Sequence, residues 1–106
     1  MKIALPTNDR KEITKRTGRA KEFVIYTIDN SVITGIEYKK NEHDHDHEHN
    51  EEEEHTHKEI IDLLRGIDLL VVRAIGKHFK RDVEEAKIEY KKTKEEEIDN
   101  VIKEYL

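Results

Sequence analysis

The run Leu69-Leu70-Val71-Val72-Arg73-Ala74-Ile75 limits most strongly what this chain folds into. A compact, nearly continuous apolar stretch is expected of a central strand covered on both faces, and strands of that kind belong to parallel sheets. Parallel neighbours need crossover helices, which are right-handed. The flanks provide them. Ile60, Ile61, Leu64 and Ile67 recur at helical spacing before the run, and Gly66 sits where a left-handed C-cap would end that helix. Phe79, Val83 and Ala86 mark a second amphipathic helix after it, with Gly76 ending the strand.

The remaining segments extend the pattern. Lys2 to Leu5 reads as a short strand that Pro6 stops, because its ring nitrogen has no proton to give a ladder. Phe23 to Ile28 is rich in β-branched and aromatic residues, Asp29-Asn30-Ser31 supplies turn chemistry, and Val32 to Lys39 resumes the pattern. This is a hairpin with Gly35 as the candidate bulge. Ile88 to Tyr90 is the last short strand, and Thr93 with Glu96 has the spacing of a capping box for a third helix. The buried stripe of that helix is Ile98, Val101, Ile102 and Tyr105.

The order βββαβαβα implies an α/β, three-layer, ribonuclease-H-like fold with a mixed five-stranded sheet of order 3-2-1-4-5. Only the second strand runs against the others. Three segments then gather at the carboxyl ends of the strands: the loop from Thr7 to Arg19, the start of a His-rich insert, and Gly76-Lys77-His78. Ligands of open α/β sheets favour that edge.

At 106 residues the chain fits one domain, residues 1–106, carrying a His/acid-rich insert at 41–58. The formal charge of −5 divides into −8 from residues 41–57 and +3 from everything else, so the body is mildly basic. No apolar run approaches the roughly 20 residues that cross a bilayer, and the apolar start ends at once in Pro6, unlike a signal peptide. A cytoplasmic protein without membrane contact is expected. With no cysteine, disulfides and thiolate chemistry are absent, and a metal would be held by nitrogen, oxygen or sulfur that arrives with the ligand.

The strand order raises the question of a two-metal nuclease, which needs carboxylates on the central strands to hold ions roughly 4 Å apart. Neither KIAL nor LLVVRAI carries an internal acid, and no Gly-rich phosphate motif or paired nucleophile and base stands out. The chain is therefore read as a binding protein and not an enzyme.

Arg10, Lys11, Lys15, Arg16, Arg19 and Lys21 make the long loop basic, and Gly18 permits close backbone approach. An anion site and an ordinary solvated loop are both consistent with this. Nucleic acid is the weaker partner, since no aromatic side chain is interleaved for stacking. His78 reads equally as a donor at the sheet edge or as a surface residue. In the insert, His43, His45, His47 and His49 alternate with acids, so an extended chain would place the four imidazoles on one side. With His55 and His57 they suit Zn, Ni, Co or Cu, and the alternative function is a divalent-metal buffer or sensor. A solvated acidic loop explains the same composition.

MKIALPTND, RTGRAKEF and LLVVRAIGKHFKRDVEEAKIEYKK together resemble the dinitrogenase iron-molybdenum cofactor biosynthesis family, over nearly the whole chain. The resemblance implies a carrier of an anionic iron-molybdenum or other metal-sulfur cluster or its precursor, with a cofactor-delivering or cofactor-receiving protein as partner. Together with the loops gathered at the carboxyl edge of the sheet, it points to Arg16, Thr17, Gly18, Arg19, Gly76, Lys77 and His78 as the cofactor-binding residues. The family commonly reads HFGRA where this chain reads Arg16-Thr17-Gly18-Arg19-Ala20, so the natural cluster ligand of that motif is an arginine here.

Overall fold

The computed structural model describes residues 1–41 and 60–106. The strands are β1 (Lys2–Thr7), β2 (Glu22–Asp29), β3 (Val32–Lys40), β4 (Leu69–Val72) and β5 (Tyr90–Lys92). The helices are α1, described over residues 60–63, α2 (Lys77–Glu85) and α3 (Ile98–Ile102), which runs on into a 3-10 turn at Lys103–Tyr105. The sheet has the order β3-β2-β1-β4-β5. β2 is antiparallel to both β1 and β3, while β4 is parallel to β1 and β5, as the connection lengths demand.

Strand alternation sends side chains of one strand into two cores. Ala4, Phe23, Ile25, Leu70 and Val72 face one layer, where Ile60 of α1, Leu64 in the turn after it, and Phe79 and Val83 of α2 cover them. Ile3, Leu5, Val24, Tyr26 and Val71 face the other, beneath Ile98, Val101 and Ile102 of α3. Tyr105 packs against this second core only in part. The three-layer arrangement follows from this period of two acting on apolar residues at consecutive positions.

Several expected boundaries move, each for a local reason. Pro6 lies inside β1 opposite Phe23. Its missing N–H is harmless because β4 pairs only with Ile3 and Ala4, and its carbonyl accepts the Thr14 N–H at 3.0 Å. β4 ends at Val72, so Arg73-Ala74-Ile75 leave the sheet and Gly76 becomes the N-cap of α2. Ala86 is the exposed C-cap of α2 and not part of its buried stripe. The last strand falls at Tyr90–Lys92, later than Ile88 to Tyr90.

The Thr93 and Glu96 capping box does not form. Thr93 Oγ1 accepts the Glu95 N–H at 3.1 Å, and α3 begins only after the N-cap Glu97, with no side-chain cap. Extended pairing wins over helix here, since Glu96 O accepts the Ile13 N–H at 2.8 Å and Glu97 bridges Glu12. The hairpin matches expectation: Asn30 (φ 53°) and Ser31 (φ 63°) take the two left-handed positions of a two-residue turn. The bulge sits at Thr34, because Gly35 pairs with Thr27 and Ile33 with Ile28. Gly66, at φ 90°, ends the α1 segment as expected.

Candidate anion-binding site

The loop after β1 is built from its own polar groups. The buried Thr7 hydroxyl donates to the Glu12 carbonyl at 2.7 Å and accepts the Arg10 N–H at 2.9 Å. Asp9 Oδ1 accepts the N–H groups of Lys11 and Glu12, both at 2.9 Å, and these donors hold its carboxyl below the usual value. The reversal puts Arg10 at φ 67°. Its guanidinium donates to both Glu22 oxygens, at 2.6 and 3.1 Å, and lies 4.0 Å from the centre of the Tyr38 ring. Arg10 is therefore committed to the fold and drops out of the cations available to a ligand. The same contact keeps the Glu22 carboxyl below its ordinary range.

Ile13 is buried in the core under α3, and Lys11 O accepts the Ile98 N–H at 3.0 Å. The first half of the loop is thus stitched to the C-terminal segment, with Arg73 reaching both Ile13 O at 3.4 Å and Glu96 at 3.8 Å.

The second half forms the site. Residues Thr17–Arg19 make a 3-10 turn closed by Arg19 N–H to Arg16 O at 2.9 Å. The Thr17 side chain, only 2% exposed, donates its hydroxyl to Ala74 O at 2.8 Å. This bond fixes the turn against the end of the β4 connection, two residues before Gly76. Beyond the turn, the Asn41 side-chain amide donates to Ala20 O at 2.9 Å, and Asn8 Oδ1 accepts the Lys21 N–H at 2.9 Å. The start of the His-rich insert is therefore tied to the same edge.

Arg16, Arg19, Lys77 and His78 are exposed, and no ion pair joins Arg16, Arg19 or Lys77 to another described residue. α2 starts at Gly76 with no side-chain cap and no acid in its first turn, so its positive dipole end adds to these cations. A Cβ at Gly76 would meet nothing within 4 Å, which marks an open approach to that helix start. Guanidinium groups without an ion-pair partner among the described residues, beside a helix start with no side-chain cap, favour an anion with several acceptor atoms.

Of the residues expected from sequence, the Thr17–Ala74 bond brings the Arg16-Thr17-Gly18-Arg19 turn to the stretch leading into Gly76-Lys77-His78. Thr17 itself positions the turn, its hydroxyl proton being already engaged. His43, His45, His47, His49, His55 and His57 lie outside the described residues. Among the described residues, no group of three or more His, Cys, Asp or Glu could hold a metal ion. His78 is the only histidine among the described residues. The sequence reading missed the tethers Asn8 and Asn41 and the fixing role of Ala74 O. Short polar residues beside a turn are their only trace.

The pH dependence of this loop follows from its carboxylates. Asp9 and Glu22 sit below their ordinary values, so their stabilisation is full above the unfolded pKa, about 4, and is lost as pH falls through the lower folded values. Denaturant unfolding at about pH 5 and about pH 2.5 should show the loss, and Glu22→Gln should flatten it. An unchanged slope in that variant would contradict the assignment.

No curated protein matches this chain. Among solved structures, the apo orange protein of Desulfovibrio gigas is similar with a TM-score of 0.73 and 17% identity, covering 98% of this chain and 85% of that one. A Methanocaldococcus jannaschii protein provisionally named a dinitrogenase gives 0.70 and 18%, covering 97% and 85%. A Thermotoga protein provisionally named NifB gives 0.66 and 15%, covering 95% and 83%. These likenesses establish the fold. The family model described as dinitrogenase iron-molybdenum cofactor matches residues 1–106, and the chain belongs to that family.

Proposed function

We propose that the protein binds and carries an anionic metal-sulfur cluster of the iron-molybdenum type, or its precursor, and passes it between a delivering and a receiving protein without catalysing a reaction. The observation that carries this reading is the Thr17–Ala74 hydrogen bond, which fixes a turn with two arginines that form no ion pair among the described residues beside the uncapped start of α2. The family name supplies the class of cargo. The chain's own residues supply positive charge, N–H donors and a histidine, which suit the sulfide surface of such a cluster. Arg16 in place of the motif's histidine makes retention more ionic than coordinating, as a carrier that must release its load requires.

No helix of the described residues is long and apolar enough to cross a membrane. We place the protein in the cytoplasm, where reducing conditions suit a sulfide-bearing cargo.

Tetrathiomolybdate is the test ligand, followed by its visible absorption and by calorimetry. Charge-assisted hydrogen bonds contribute about 1.5–3 kcal/mol when sheltered, and solvent screening lowers this at an exposed turn. The double variant Arg16→Ala/Arg19→Ala should thus bind about tenfold to a hundredfold more weakly. Lys91→Ala/Lys92→Ala, an equal charge change on β5, should bind as the parent does. Equal uptake by the arginine variant would overturn the proposed site.

A further inference from the structure

The two edges of the sheet are treated differently. β5 has three residues and presents Lys91 and Lys92, with Lys94 just beyond, a short and charged edge that resists pairing. β3 at the other edge has nine residues, and none of the described strands pairs with its outer side. It also exposes large apolar side chains among its polar ones: Val32 is 58% exposed, Ile36 50% and Tyr38 40%.

The bulge at Thr34 sharpens this. Strict alternation would send Ile33 and Ile36 to opposite faces. With Thr34 left out of the pairing, Ile33 stands opposite Ile28 and Ile36 opposite Tyr26, so both join Tyr38, opposite Val24, on the α3 face of the sheet. α3 covers β1, β2 and β4 and does not reach this row, where Arg10 lies over one face of the Tyr38 ring. An exposed row continuous with a core, on an edge strand with unpaired N–H and C=O groups, is an incomplete sheet.

We infer that β3 pairs with β3 of a second copy of this chain, antiparallel about a two-fold axis at Tyr38, to form a continuous ten-stranded sheet. Charge selects both the partner and the register. Centred on Tyr38, Glu37 of each copy faces Lys39 of the other, and on the opposite face the two Tyr38 side chains meet, with Ile36 of each copy opposite Lys40 of the other and able to pack on its aliphatic stem. Moving the centre to position 37 would set Glu37 against Glu37, which is unfavourable. At position 36, Lys39 would face Ile33 and neither charge would find its complement. The strand is thus self-complementary in one arrangement, as an isologous interface must be. This inference stands apart from the anion site.

Sedimentation or light scattering against concentration tests it on the full chain. The parent should move from 12.6 kDa toward twice that mass. Glu37→Lys alone and Lys39→Glu alone set like charges opposite one another and should each be monomeric. An equimolar mixture of the two restores both pairs and should dimerise. Because the chain has no cysteine, Tyr38→Cys should also cross-link to itself under mild oxidation. Val32→Cys, near the strand's far end, should not. A parent that stays monomeric at millimolar concentration overturns the proposal, as it would if the edge served a strand of another protein. A dimer indifferent to both charge variants overturns it equally.

Discussion

Phe23→Ala is expected to cost about 3–5 kcal/mol of unfolding free energy, a large part of the ~5–15 kcal/mol that holds a domain of this size together. Phe23 is fully buried in β2, within the core that also takes Ala20, Ile60, Leu64 and Phe79. Its ring is the junction between the sheet and the end of the anion loop, so the cavity left behind is bounded by strand on one side and helix on the other. Neither can collapse without breaking ladder or helix bonds. Urea unfolding monitored by circular dichroism measures the loss, and the slope against denaturant should be unchanged. A cost below about 1.5 kcal/mol would show that α1 and α2 re-close over the site.

Ile13→Ala is expected to cost about 2–4 kcal/mol, although its sequence neighbourhood reads as a solvated basic loop. Ile13 is 1% exposed and packs under α3, while its backbone joins Glu96. Two consequences should appear together: lower global stability, and weaker tetrathiomolybdate binding as the second half of the loop loses its footing. Addition of a stabilising osmolyte should recover the first. Binding recovers only if loop order, and not charge alone, sets the affinity. An Ile13→Ala protein as stable as the parent would mean that the loop floats free of the core.

Ile13 also shows where sequence legibility stops. The apolar run at Leu69, the helical spacings around it and the Asp29-Asn30-Ser31 turn each carry a period or a turn chemistry that only one local structure satisfies, so order and direction of the sheet were readable. A single isoleucine between charged residues carries no period. Its burial depends on a partner 83 residues later, Glu96, whose extended conformation also defeats the Thr93 capping box. The candidate site divides in the same way. Exposed arginines around Gly18 were visible as charge, and the α/β topology located them at the carboxyl edge. Which of the cations were already spent was not visible: Arg10 pairs with Glu22 and stacks on Tyr38, two residues on different strands.

Asn41 and Ile60 are the two points at which the described fold ends and resumes, and both are buried, the first tied to Ala20 and Lys21, the second on α1 and packed into the core. Anchors of this kind fix both ends of the stretch between them. The free energy of closing a chain between fixed ends grows only with the logarithm of its length, about 0.6 kcal/mol for each doubling. Wherever both ends of a stretch are held in this way, a flexible chain between them can change in length and composition at little cost to the sheet, which leaves it open to selection for a task of its own.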